Sequence, residues 1–353
     1  MKALQYYGKG NIKLEDIPEP SPGPDEVKIN VAYAGICGTD YEEYLYGPLW
    51  IPEEPHPVTG YGLSKGPVVL GHELSGIVSG AGKNVTHVKE GDRVASYPII
   101  YCGECDNCKR GDYYLCSNIA CLGLHCNGGF EEQVVVPGKN VFILPDGLDL
   151  QDAAAAEPLG FSLNSGQCAG ITIGDDVAVF GAGIIGLLYL QVARVRGARR
   201  VIMIARRKNR LDTALKLGAD AVIDTDSENV TERIMELTGG KGVDIVMEAT
   251  GSNKVVEQIF PIVRSGGRIA LGGVFPGKAE VDLKQIVNAG RTIVGLVAHN
   301  PIHFQTALKM LADGRINVKP IITKAVDLEN IIPEGFNDYL ENKGKYVKLV
   351  AKI

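Results

Sequence analysis

Residues 176–208 read DVAVFGAGIIGLLYLQVARVRGARRVIMIARRK, and their order of apolar runs and glycines decides the fold. Val177–Phe180 is an apolar run of strand length, Gly181-Ala182-Gly183-Ile184-Ile185-Gly186 is a turn, and Ile184–Arg196 reads as a helix stopped by Gly197. Arg200–Ile204 then reads as a second strand. Strand, glycine turn, helix and parallel strand make the unit that grips a dinucleotide, because small residues let the backbone approach the pyrophosphate and helix N–H groups point at its charge. The GxGxxG pattern also occurs in other α/β turns; here both flanking elements are present, which is the context it needs. Gly181, Gly183, Ile184, Ile185 and Gly186 are therefore candidate cofactor-binding residues.

The alternation continues beyond this unit. Lys208–Leu217, Val230–Leu237 and Val255–Val263 read as helices, and Ala221–Asp224, Val243–Glu248 and Arg268–Gly272 as strands, which predicts a doubly wound parallel sheet. Thr250 and the run Gly272-Gly273-Val274 fall at strand ends, where ligands bind in such sheets, and are expected to line the nicotinamide half of a dinucleotide.

Composition narrows the classes. A chain of 353 residues suggests two domains. Its 36 basic and 42 acidic side chains give a net charge of −6 with no basic block, which disfavours nucleic acid and anionic membrane surfaces as partners and favours a small molecule. MKALQYYGKGNIKLEDIPEP lacks the apolar core of a secretory signal, so a cytoplasmic location is expected. The uncharged run Val177–Ala193 contains the glycine turn and falls short of the roughly 20 residues a membrane span needs, so it reads as buried core. Eight cysteines without an export signal argue for reduced thiols and metal ligands over disulfides.

The first part of the chain carries short β-like runs broken by proline and glycine: Val27–Ala34, Val68–Leu70, Gly76–Ser79, Arg93–Tyr97, Glu132–Val136 and Val141–Leu144. This density of turns predicts a partly open β-barrel. Cys37 follows the first of those runs on a turn within GICGTD, and His72-Glu73 follows another strand. Glu157 stands in AEPL at the end of this part. Cysteine, histidine and carboxylate are the ligand types of catalytic zinc, which keeps one position open. Taken singly each has an ordinary alternative: a core thiol, a hydrogen-bonded His–Glu pair, a helix start. Cys102, Cys105, Cys108 and Cys116 form C-x2-C-x2-C-x7-C, four thiolates able to wrap one structural ion, with an iron–sulfur cluster as the alternative for that spacing. Cys121, Cys126 and Cys168 lie outside both groups and read as incidental free thiols.

The set GICGTD, VVLGHELSG, the four-cysteine loop, NGGFEEQ, EPL and GAGIIG resembles the zinc-containing medium-chain dehydrogenase/reductase family over essentially the whole chain, nearest in pattern to its butanediol, sorbitol and threonine dehydrogenases. The loop EEYLYGPLWIPEEPHPVTG resembles most the butanediol dehydrogenase version. The resemblance implies an α/β protein with a GroES-like, partly open β-barrel catalytic domain, residues 1–157 and 297–353, and a Rossmann domain, residues 158–296. It places the helix Ile302–Asp313 and the strand Tyr346–Ile353 in the returning part of the catalytic domain. It further implies a cleft holding zinc and nicotinamide, and a homodimer or homotetramer.

Residue by residue, the resemblance assigns Cys37 and His72 to the catalytic zinc, with Glu73 and Glu157 as carboxylates that ligate it directly or through water. Thr39 matches the hydroxyl that passes the substrate proton outward. Where the threonine and butanediol dehydrogenases carry a histidine in that relay, this chain has Glu42, whose ordinary pKa of about 4.3 lies below the roughly 6.5 of histidine. Glu42 could instead bind a substrate hydroxyl or be an ordinary solvated residue. On the second strand, Ala205 stands where an NAD site carries an acid, and Arg206, Arg207 and Lys208 follow. Without the acid, repulsion against a 2′-phosphate is gone, and arginine offers planar paired donors, so NADP is expected rather than NAD; the alternative is a solvated basic helix start. The expected activity is hydride transfer between a secondary alcohol, a diol such as 2,3-butanediol, and NADP. A sugar alcohol, an aldose or threonine is the alternative substrate, and a nucleotide-binding protein without turnover is the alternative class.

Overall fold

The computed structural model describes residues 1–353. The chain forms two compact units, Met1–Glu157 with His299–Gly314 and Ile322–Ile353, and Pro158–Ala298 with Arg315–Ile321.

In the second unit six parallel strands lie in the order Ala221–Asp224, Arg200–Ala205, Asp176–Phe180, Val243–Glu248, Val263–Leu271, Thr292–Gly295. Asp176–Phe180 is central because it is buried along its whole length, as an apolar run packed on both faces must be. Strand order reverses between it and Val243–Glu248, so their carboxyl ends, where Phe180 pairs with Glu248, form the switch point of the sheet. The helix Ile184–Val195 starts there, capped by Gly183. Gly181 has φ +99°, and a Cβ on Gly186 would stand 1.8 Å from the Gly181 carbonyl oxygen, so backbone approach requires glycine at both.

Two expected boundaries are corrected here. The helix placed at Val255–Val263 runs Asn253–Ile259 and tightens over Phe260–Ile262 around Pro261, which has no N–H to continue an α-helical ladder. Val263 then opens a strand reaching Leu271, longer than the predicted Arg268–Gly272, because Ser265-Gly266-Gly267 imitates a turn in sequence. The edge strand Thr292–Gly295 has no buried face and gave no periodic signal.

The first unit is built on the long strand Glu26–Ile36. It pairs with Glu73–Ala81 along its length, with Gln133–Pro137 over its first half, and with Lys348–Lys352 over its second. The seven-stranded sheet closes through Arg93–Ser96 and Val141–Ile143 on one side and Ile322–Asp327 on the other. A hairpin of Lys2–Gly8 and Asn11–Asp16, absent from the expected strands, buries Ala3, Leu4 and Tyr6 against Val27, Ile29 and Phe130 in the core. Within this mostly β unit the helix Gly38–Tyr46 also goes beyond the predicted run of strands and turns. No helix is long and apolar enough to cross a membrane.

Candidate active site

Strand Glu26–Ile36 delivers the chain to Cys37, which caps the helix Gly38–Tyr46 instead of sitting on an open turn. The Asp40 carboxylate accepts the Cys37 N–H at 2.8 Å and thereby fixes the helix start. Glu73, directly preceded by His72, opens the neighbouring strand and stands opposite Gly35 in antiparallel register. One ligand atom each from Cys37, His72 and Glu73 lie within 4.8 Å of one another. A side chain at position 35 would fill this space, since a Cβ there would be 2.1 Å from the Glu73 carboxylate and 3.0 Å from Lys348 Cε.

The electrostatics of the cluster fit a cation. Asp40, His72, Glu73 and Lys348 are all buried. Lys348 Nζ donates to Glu73 at 2.6 Å and to the Ile36 carbonyl at 2.9 Å. His72 is hydrogen-bonded to Cys37, and its Nδ1 lies 3.9 Å from Asp40 Oδ1, both of those atoms lacking a hydrogen-bond partner. Burial works against the His72 cation, but the charges of Cys37, Asp40 and Glu157 outweigh it and hold the ring's pKa well above its ordinary value. Cys37, Asp40, Glu73 and Glu157 can together carry four negative charges against the single fixed cation Lys348, so a divalent ion relieves a buried excess of anions. The donor set, thiolate with imidazole and carboxylate, is zinc chemistry. Asp40 is a buried carboxylate facing the Nδ1 side of the His72 ring, 3.9 Å away.

Glu157 lies outside that trio. It begins the helix Ala156–Cys168, with Oε1 4.0 Å from His299 Nδ1, and burial raises its pKa above the carboxylate range. His299 is fully buried, and burial pushes it down to about 3, so it stands neutral. Thr39 Oγ1 is 3.7 Å from Cys37 Sγ, and Glu42 follows one helical turn later on the same face. Burial, and then the neighbouring Glu43, raise the Glu42 pKa, which moves it from an ordinary carboxylate toward histidine. Glu43 itself accepts the backbone N–H groups of Leu49, Trp50 and Ile51 at 2.7–3.3 Å and so ties the next turn to the Cys37 helix.

Apart from this cluster, Cys102, Cys105, Cys108 and Cys116 converge, with Sγ–Sγ distances of 3.4 Å for Cys116 and Cys102, 3.9 Å for Cys105 and Cys116, and 4.0 Å for Cys102 and Cys108. Four thiolates at about 2.3 Å from one tetrahedral ion stand roughly 3.8 Å apart. An iron–sulfur cluster is wider than one ion and would hold the thiolates further apart. Backbone N–H groups of Cys108 and Ser117 bring the Cys105 thiol down to about 6, while burial pushes Cys108 up to about 12. Cys121 and Cys126 are half-buried and Cys168 is exposed.

In the second unit, Gly181, Gly183, Ala205, Arg206, Arg207 and Thr250 line one cavity of about 430 Å³. Ile184, Ile185 and Gly186 form the first turn of the helix beside it. Gly272, Gly273 and Val274 follow the strand Val263–Leu271, and the Gly272 N–H donates to the Glu248 carbonyl at 2.9 Å. Arg210, Lys254 and Gln258 also line the cavity and were not foreseen. Arg210 was legible, since it stands one helical turn beyond Arg206 and Arg207. Arg207 has φ +78°, in the left-handed region that a non-glycine residue adopts at a cost.

This architecture, a zinc-type donor cluster in a β unit and a glycine turn in a Rossmann sheet, defines an alcohol dehydrogenase. Residues 23–146 match the alcohol dehydrogenase GroES-like domain and residues 185–313 the zinc-binding dehydrogenase domain. The (R,R)-butanediol dehydrogenase of Neisseria gonorrhoeae is 35% identical over 355 residues, covering 99% of both chains. The crystal structure of the 2R,3R-butanediol dehydrogenase of Bacillus subtilis superposes with a TM-score of 0.92 at 34% identity, over 100% of this chain and 99% of that one. A Sinorhizobium meliloti chain described as a zinc-binding dehydrogenase and crystallised with NADP gives 0.89 at 33% identity, over 100% and 99%. The chain belongs to the zinc-containing medium-chain dehydrogenase/reductase family, and it is an oxidoreductase of CH–OH groups that uses zinc and a nicotinamide cofactor.

Proposed function

We propose that this protein oxidises a secondary hydroxyl of a small polyol to a ketone, and runs the reverse reaction, with 2,3-butanediol as the representative substrate and NADP as cofactor. The observation that carries the chemistry is the buried Cys37, His72 and Glu73 trio in its anionic surroundings. Similarity to butanediol dehydrogenases over the full chain supports the diol.

Cys37, His72 and Glu73, with Glu157 as the outlying carboxylate, would hold the zinc, which would supply Lewis acidity toward the alcohol oxygen, and a bound nicotinamide would supply the hydride acceptor. Asp40 faces the His72 ring, and Lys348 pins the Glu73 carboxylate in place. The Thr39 hydroxyl takes the substrate proton and hands it toward Glu42. A panel of diols, polyols, sugars and amino-alcohols, followed by nicotinamide absorbance with each cofactor, is expected to give the highest kcat/KM with a vicinal diol and NADP. Absence of turnover across the panel would replace this reading with a nucleotide-binding protein that has lost activity.

The relay gives a further expectation. Glu42 accepts a proton only when ionised, so kcat/KM for oxidation falls on the acid side, where its carboxyl becomes protonated. Because burial and Glu43 raise that pKa, the fall begins at higher pH than for an ordinary glutamate. Glu42→His is expected to move this limb upward toward about 6.5, and Glu42→Gln to remove it. An unchanged pH–rate profile in Glu42→Gln would take Glu42 out of the relay.

A further inference from the structure

We infer that Glu248, which touches neither substrate nor metal in the mechanism above, is a positioning residue that clasps the Thr250–Gly251 turn, beside the arginine-lined cavity, to the Gly272–Val274 turn expected at the nicotinamide; the inference rests on the dinucleotide reading. Glu248 ends the strand Val243–Glu248 and is fully buried. Its Oε1 accepts the Thr250 N–H at 2.6 Å, the Thr250 hydroxyl, and the Gly251 N–H at 3.0 Å. Its Oε2 accepts the Gly273 N–H at 3.2 Å. One carboxylate therefore serves both turns, one oxygen to each.

The turns meet backbone to backbone. A Cβ on Gly273 would stand 2.1 Å from the Gly251 nitrogen, and one on Gly251 would stand 2.2 Å from the Val274 carbonyl oxygen. The shared anion thus ties together two turns already packed backbone to backbone, with Asn253 bridging further along to the Pro276 and Lys278 carbonyls. An ionised carboxylate only accepts, and four donors converge on it; the amide of glutamine would turn an N–H against at least one of them. Thr250 lines the same cavity as Gly181, Ala205, Arg206 and Arg207, whereas Gly272, Gly273 and Val274 do not, so Glu248 ties a wall of that cavity to a turn outside it.

The test uses the full-length, zinc-loaded protein. Glu248→Gln is expected to lower NADPH affinity roughly 10- to 100-fold, the loss of one or two hydrogen bonds to a charged group. Affinity for 2′,5′-ADP, which carries only the adenine half and does not reach the Gly272–Val274 turn, is expected to fall clearly less than that for NADPH, because the glycine turn and the arginines keep their places. Equal loss for both probes would make Glu248 a general structural residue, and no loss for either would remove it altogether. In the wild type, the amides of Thr250, Gly251 and Gly273 are expected to exchange slowly with solvent; fast exchange overturns the clasp even where the variant does not fold. A wild-type chain that binds neither NADPH nor NADH overturns the dinucleotide reading and this inference with it, whereas wild-type binding with unaltered Glu248→Gln affinity overturns the inference alone.

Discussion

Cys37→Ser is expected to lower kcat/KM by at least about 10³-fold and to reduce bound zinc from two ions per chain to one, with the fold intact. The size follows from what the thiolate does. It is the one permanently soft donor of the Cys37, His72 and Glu73 trio, and a serine hydroxyl at neutral pH is protonated and a poor zinc ligand. Loss of the ion removes its electrostatic stabilisation of the developing negative charge, an effect of several kcal/mol when supplied in a dry site. Stability is expected to change little. Cys37 is a half-buried helix cap, and serine is among the preferred residues there, so the start of Gly38–Tyr46 survives. Metal content, far-ultraviolet circular dichroism and kcat/KM measured on one preparation decide it. Retention of both ions would place the catalytic metal elsewhere, and full activity with one ion would make the trio structural.

How far the site was legible follows from how far apart its residues lie in sequence. Cys102 to Cys116 and Gly181 to Gly186 each close a site within a single loop or turn, so spacing alone displays their chemistry. Cys37 and His72 adjoin different strands, and only their residue types, each following a strand, pointed to one ion. The Glu73 partner Lys348 lies 275 positions away on the last strand, and no local pattern marks a lysine whose ammonium will be buried. Asp40 stood in plain view inside GICGTD, yet its role depends on the angle at which helix Gly38–Tyr46 leaves Cys37 and brings its carboxylate within 3.9 Å of His72. The sheet was read correctly at its centre, where Asp176–Phe180 and Val243–Glu248 are largely buried on both faces, and missed at its exposed edge, Thr292–Gly295, where burial imposes no pattern.

Arg206→Glu is expected to invert cofactor preference, shifting the ratio of kcat/KM for NADP over NAD downward by roughly 10²- to 10³-fold. Ala205 ends the second strand where an acid would hold a ribose 2′-hydroxyl, and it shares its cavity with Arg206, Arg207 and Arg210. Removing a guanidinium that donates to a phosphate forfeits about 1.5–3 kcal/mol, and placing a carboxylate beside that phosphate adds repulsion of about 1 kcal/mol at an exposed position. With about 1.4 kcal/mol per tenfold, the sum gives the stated range. The same carboxylate can accept from the free 2′-hydroxyl of NAD, so NAD turnover is expected to rise while NADP turnover falls. The backbone supplies an independent check. Arg207 keeps φ +78° against a steric cost of about 1–2 kcal/mol, and strain of this kind persists where a side chain is needed in place. Arg207→Gly is accordingly expected to preserve or raise thermal stability while weakening NADP selectively. A wild type that prefers NAD, or an Arg206→Glu variant with an unchanged ratio, would make these arginines a solvated helix start.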